Sequence, residues 1–132
     1  MNSPNVITKL AIDEIFVYGS NEAGRHGKGA ALQALKFGAV YGKGVGLAGK
    51  TYAIPTKDKQ LKILPLSSIF IYVENFIKFC SVNPKLKFLV TKIGCGLALY
   101  TPQQIAPMFK TGKDQKNILL PESFTNIIKE LL

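Results

Sequence analysis

The chain has 132 residues, 47% of them hydrophobic and 19% charged, a composition that excludes a disordered protein and suits one globular domain with a core of its own. Its formal charge is +9, from 17 Lys+Arg against 8 Asp+Glu, which points to a polyanion or a small phosphorylated ligand as partner. Sixteen of the 17 basic residues are lysines scattered along the chain, which argues against base reading by bidentate arginine.

Residues 1–13 form a lead-in with a predicted short strand at Val6-Ile7-Thr8. No basic stretch followed by an apolar one marks a secretory signal, and no apolar run approaches the roughly 20 residues that span a bilayer. With Cys80 and Cys95 expected reduced, the predicted location is cytoplasmic, away from any membrane.

Glu14–Tyr18 contains the apolar run Ile15-Phe16-Val17-Tyr18 and reads as a buried strand. It breaks at Gly19 into a loop holding Ser20, Asn21, Arg25, His26 and Lys28 among Gly24, Gly27 and Gly29. A helix follows over Lys28–Phe37, with Ala31, Ala34, Leu35 and Gly38 on one face. Strand, glycine loop and helix together aim backbone N–H groups at an anion, usually a phosphate. A plain surface turn is the competing reading. The P-loop spacing fails, because two residues separate Gly24 from Gly27 and Gly29 stands where Ser or Thr would hold magnesium. His26 is expected to be solvent-exposed.

Tyr41–Gly49 is too glycine-rich for a helix or a central strand. Gly44 to Gly49 matches G-x-G-x-x-G but precedes a strand, whereas the dinucleotide fingerprint follows one. Thr51–Ile54 reads as a strand ended by Pro55, with Lys57 at or just past its end. Ser67–Ser81 reads as a helix whose buried face is Ile69, Phe70, Val73, Phe76, Ile77 and Cys80. Leu86–Ile93 is a strand running into a second glycine loop, Gly94-Cys95-Gly96-Leu97. Thr101-Pro-Gln-Gln104 is a capping box opening a helix that Pro107 must shorten. Asn117–Leu120 reads as a short strand, and Phe124, Ile127, Ile128 and Leu131 as one face of a closing helix.

Strands alternating with helices give an α/β protein with a parallel or mixed sheet covered on both faces. Ligands in such sheets sit at the carboxyl ends of the strands, so the two glycine loops are expected to flank one cleft. No C-x-x-C or H-E-x-x-H metal spacing occurs. Tyr100 and Phe124 serve equally as walls of a site or as core.

These loops resemble a known family. Asn21, followed after five residues by Gly27-Lys-Gly-x-Ala31, is similar to the first binding loop of macrodomains, the ADP-ribose-binding modules. Lys92-Ile-Gly-Cys-Gly-Leu97 is similar to their second loop. Thr56-Lys57 stands where the branch containing the terminal ADP-ribose glycohydrolase and the antitoxins acting on ADP-ribosylated DNA carries a Thr-Lys pair. The blocks V-Y-G-S-N, Y-A-I-P-T and I-G-C-G-L also resemble small macrodomain-like proteins of bacteria and phages.

The resemblance implies a three-layer α/β/α macrodomain-like fold with a mixed central sheet, and ADP-ribose or a related nucleotide as ligand, free or on a modified protein or nucleic acid. It implies catalytic roles for Asn21 and Lys57. It implies ligand contacts from Gly19, Ser20, Asn21, Gly27, Lys28, Gly29 and Ala30 in the first loop. The second loop would contribute Gly94, Cys95, Gly96 and Leu97, with Tyr100 beside it. No metal or cofactor is implied. The chain departs from the family twice: the early Gly-Asp that reads adenine has no clear counterpart, and Ala98 replaces the aspartate that follows Gly-Leu in the glycohydrolase. Without that acid, hydrolysis lacks its general acid/base. Two other readings stay open, a non-enzymatic module binding nucleic acid or a protein through its lysines, and an enzyme acting on another nucleotide-sugar phosphate.

Overall fold

The computed structural model describes residues 2–132, and its centre is β1 (Glu14–Asn21). Ile15 and Val17 enter one apolar core, while Phe16 and Tyr18 enter the other. A strand buried on both faces must be apolar without alternation, which is why this run is continuous. β1 pairs in parallel with β3 (Thr51–Lys57) on one side and with β4 (Lys87–Val90) on the other. β5 (Ile118–Leu119) extends the sheet beyond β4 in parallel, and β2 (Gly46–Ala48) lies antiparallel on β3. The order is β2-β3-β1-β4-β5, a mixed sheet as expected.

The larger core lies under α2 (Leu66–Ser81), α3 (Pro102–Ile105) and α4 (Glu122–Glu130). The smaller lies under α1 (Gly29–Ala34) and the N-terminal segment. The architecture is therefore three-layer α/β/α. In α2, Ile69, Val73, Phe76, Ile77 and Cys80 are buried as the periodicity predicts, whereas Phe70 is exposed at the margin of that face. Phe76 meets Phe88 edge-on at 5.6 Å and Phe109 at 6.3 Å.

Several predicted bounds shift. Val6-Ile7-Thr8 is not a strand. Ser3 instead ties the segment down through its hydroxyl to the Val90 carbonyl at 2.7 Å, and the Gln33 amide donates to the Ile7 carbonyl. β3 continues through Pro55 to Lys57; β2 pairs with it only as far as Ala53, so no ladder bond is asked of the proline nitrogen. β2 itself was not expected, since its glycines mask a strand signal, and it is tolerated at the sheet edge. α1 has six residues and passes into a 3₁₀ turn, Leu35–Phe37, closed by Gly38 at φ 102°. Pro107 shortens α3, which continues as 3₁₀ helix over Ala106–Gly112. No helix among the described residues is long and apolar enough to cross a membrane.

Candidate functional site

The loops after β1 and β4 and the end of β3 leave three adjacent parallel strands on the same side, and a cleft of about 490 Å³ opens between them. Of the residues singled out in the sequence, Gly19, Ser20, Asn21, Gly27, Lys28 and Ala30 line it from the first loop. Lys57 lines it from β3, and Gly94, Gly96 and Leu97 line it from the second loop. The two glycine motifs therefore meet in space.

Three nominated residues lie outside the lining. Gly29 sits beneath Leu97, whose Cδ1 lies 3.4 Å from where a Cβ would stand. Cys95 is half-buried against the larger core, and burial pushes its thiol pKa up, against the pull of Lys92. Tyr100 is turned into the fold, its hydroxyl donating to the Leu64 carbonyl at 2.7 Å. Arg25, Tyr41, Thr56, Leu61, Thr91, Lys92 and Ala98 also line the cleft and were not nominated. Arg25 and Lys92 were visible as charges inside or beside the motifs; Tyr41 had no local signal.

Electrostatically the lining is one-sided. Arg25, Lys28, Lys57 and Lys92 contribute four cations, and no Asp or Glu lines the cleft among the described residues. Two carboxylates adjoin lining residues in sequence and both are engaged elsewhere: Asp58 accepts from the Gln60 and Lys62 N–H groups, and Glu22 accepts from the Tyr72 hydroxyl at 2.5 Å, a bond that chiefly pushes the Tyr72 pKa up to about 12. The backbone adds donors. Gly96, Leu97 and Ala98 line the cleft, and their N–H groups donate to no described protein atom. Successive free N–H groups form a concavity suited to an anion. Gly94 at φ 77° and Leu99 at φ 66° set the loop's turns. α1 is too short for its dipole to add much.

Asn21 does not point its amide freely at the cleft. Its Oδ1 accepts from the Arg25 N–H and its Nδ2 donates to the Arg25 carbonyl, each at 2.9 Å. The asparagine thus closes the loop and fixes the backbone from which Arg25 projects. Ser20 is buried and donates to the Gly44 carbonyl. This bond ties the glycine segment to the site: Gly24 and Gly42 approach backbone to backbone, and the Gly42 N–H donates to the Gly24 carbonyl at 2.8 Å. The segment at 41–49 is therefore a strap packed on the first loop, and its glycines serve close approach.

His26, expected in solvent, is only 3% exposed. Its Nε2 lies 2.9 Å from the Tyr18 hydroxyl, and its Nδ1 is buried without a partner. The ring lies beneath Tyr41, at 6.1 Å between centroids. No group of three or more His, Cys, Asp or Glu suited to a metal occurs among the described residues.

A second hollow of about 340 Å³ adjoins the cleft, sharing Ala30, Thr91 and Lys92 with it. Its outer wall is the N-terminal segment from Pro4 to Ile7, and Gln33 and Pro121 also line it.

No family model matches the sequence, and no curated protein matches it. Among solved structures the fold is similar to that of a protein of unknown function from Bacteroides thetaiotaomicron, with a TM-score of 0.61 and 16% identity over 86% of this chain and 88% of that one. At that identity the likeness is one of fold alone.

Proposed function

We propose that the cleft binds ADP-ribose or a related phosphorylated nucleotide, as the macrodomain resemblance of its two loops implies, in a cytoplasmic protein. One observation carries the reading: four cationic residues and three successive residues with unpaired backbone N–H groups line one cleft whose lining holds no carboxylate among the described residues. Gly96 and Leu97 are exposed and Ala98 is buried, and a diphosphate would give their N–H groups acceptors. The adjoining hollow gives an elongated ligand a place for its further end.

Binding is better supported than hydrolysis. Lys57 lines the cleft at the end of β3, in register with Asn21. It has the position of a nucleophile but no acid beside it in the lining, and Ala98 is buried where the resemblance expects an aspartate. Any hydrolysis of ADP-ribosyl groups would have to draw its general acid from the substrate or from water.

Gly96 supplies the test. Nothing lies within 4 Å of where its Cβ would stand, and its φ is not in the left-handed region. Gly96→Leu therefore leaves the fold intact while filling the cleft. In calorimetric titrations with ADP-ribose, the wild type is expected to bind with an affinity that falls as salt rises. Gly96→Leu is expected to weaken binding by at least about tenfold with an unchanged melting temperature. Equal affinity in the two proteins would refute this placement of the ligand.

A further inference from the structure

Tyr41 lines the cleft but not the second hollow. The second hollow lies over β4 and toward β5, with Val90 and Pro121 in its wall. Tyr41 begins the strap that leads to β2, beyond β3. Its ring lines the cleft and is 66% exposed. It is also braced from beneath. His26 lies under it, and His26 in turn is held by the Tyr18 hydroxyl on the central strand. The strap is fastened just after Tyr41, by Gly42 to Gly24 and by Gly44 to Ser20. Arg25, the chain's single arginine, lines the same cleft and immediately precedes His26 in the chain. Its backbone is clamped by Asn21, and its guanidinium pairs with no described residue.

An open aromatic face and an unpaired guanidinium in one cleft suit a planar heterocycle bearing a phosphate, because every base has a π-face that stacks and arginine adds attraction through charge and stacking. A bare sugar would use neither the flat face nor the planar cation as well. We propose that Tyr41 is a stacking platform, and that the ligand class of this cleft is a dinucleotide, a diphosphate-bridged compound with a planar ring at each end, rather than one that ends in a sugar. This rests on the anion-binding reading of the cleft given above, and it sharpens that reading by naming what lies beyond the diphosphate.

The experiment compares two probes that share adenosine diphosphate and differ at the far end, ADP-ribose and diadenosine diphosphate. Each is titrated into the wild type, Tyr41→Ala and Tyr41→Trp. Tyr41 is exposed, so all three proteins fold, and melting curves check this. The wild type is expected to bind diadenosine diphosphate about tenfold tighter than ADP-ribose. Tyr41→Ala is expected to weaken diadenosine diphosphate about tenfold more than it weakens ADP-ribose, which erases that preference. Tyr41→Trp is expected to keep the preference. ADP-ribose binding with no preference for the second ring, or a preference that survives in Tyr41→Ala, overturns this inference alone. Binding of neither probe by the wild type overturns the anion-cleft reading, and this inference falls with it.

Discussion

Gly44→Ala is the substitution on which the strap's packing can be measured. A Cβ at this position would collide with the Asn21 carbonyl oxygen and stand 3.0 Å from both the Asn21 carbonyl carbon and the Gly24 nitrogen. All three obstacles are backbone atoms, so no side chain can swing aside. The strap must lift, and forced repacking of this kind costs about 1–3 kcal/mol. Lifting also breaks the bond from the buried Ser20 hydroxyl to the Gly44 carbonyl, which adds about 0.5–1.5 kcal/mol. The combined loss of about 2–4 kcal/mol corresponds to a drop on the order of 10 °C in melting temperature for a chain of this size. Urea unfolding followed by circular dichroism, with melting curves beside it, reads both quantities. Gly96→Ala is the control, expected to stay within about 0.5 kcal/mol of wild type because nothing stands near its Cβ position. A Gly44→Ala protein as stable as that control would show that the strap does not bear on the first loop as described.

Two further predictions concern the core and the tyrosines. Phe76 is fully buried between Phe88 and Phe109, so Phe76→Ala is expected to cost about 3–5 kcal/mol in urea unfolding; a loss below about 1 kcal/mol would contradict a packed aromatic centre. Tyr18, Tyr52 and Tyr72 are each pushed up from 10.0 to about 12, the first two by burial and Tyr72 mainly by its hydrogen bond to Glu22. A raised folded value means stabilisation that is present in full below the unfolded value and is lost as pH rises from 10 through 12. The urea midpoint is therefore expected to fall between about pH 9 and about pH 11, and to fall less steeply in Tyr72→Phe. A flat midpoint across that range would refute the assignment.

What could be seen in the sequence was local. The run Ile15 to Tyr18 gave away the central strand, because burial on both faces leaves no polar positions. The spacing of Ile69, Val73, Phe76, Ile77 and Cys80 marked α2. The glycine loops were visible as loops, and their meeting in one cleft followed from the rule that parallel strands present their carboxyl ends together. What stayed hidden depended on partners distant in the chain. Gly42 and Gly44 read only as part of a stretch too glycine-rich for a helix or a central strand, since nothing local shows that Gly44 makes room for Asn21 and that Gly24 makes room for Gly42. His26 looked exposed because its partner, Tyr18, lies in the preceding strand and its cover, Tyr41, lies beyond α1. Tyr100 could have been a cleft wall or core until the Leu64 carbonyl was seen to accept its hydroxyl. For Asn21 the alternatives were a turn residue and a ligand contact, and the amide's two bonds to Arg25 show how it shapes the turn.

The central position of β1 has a consequence for how the chain is made. Val17 pairs with Tyr52 on one side and with Val90 on the other, so its second neighbour emerges roughly 70 residues after it. At about 5–20 residues per second, the run Ile15-Phe16-Val17-Tyr18 waits roughly 4–15 s with one edge unpaired. Short apolar, β-branched and aromatic runs are also the segments that pair between chains when exposed. During synthesis the central strand is thus the stretch most in need of protection, and crowded nascent chains would aggregate through it before the sheet can close.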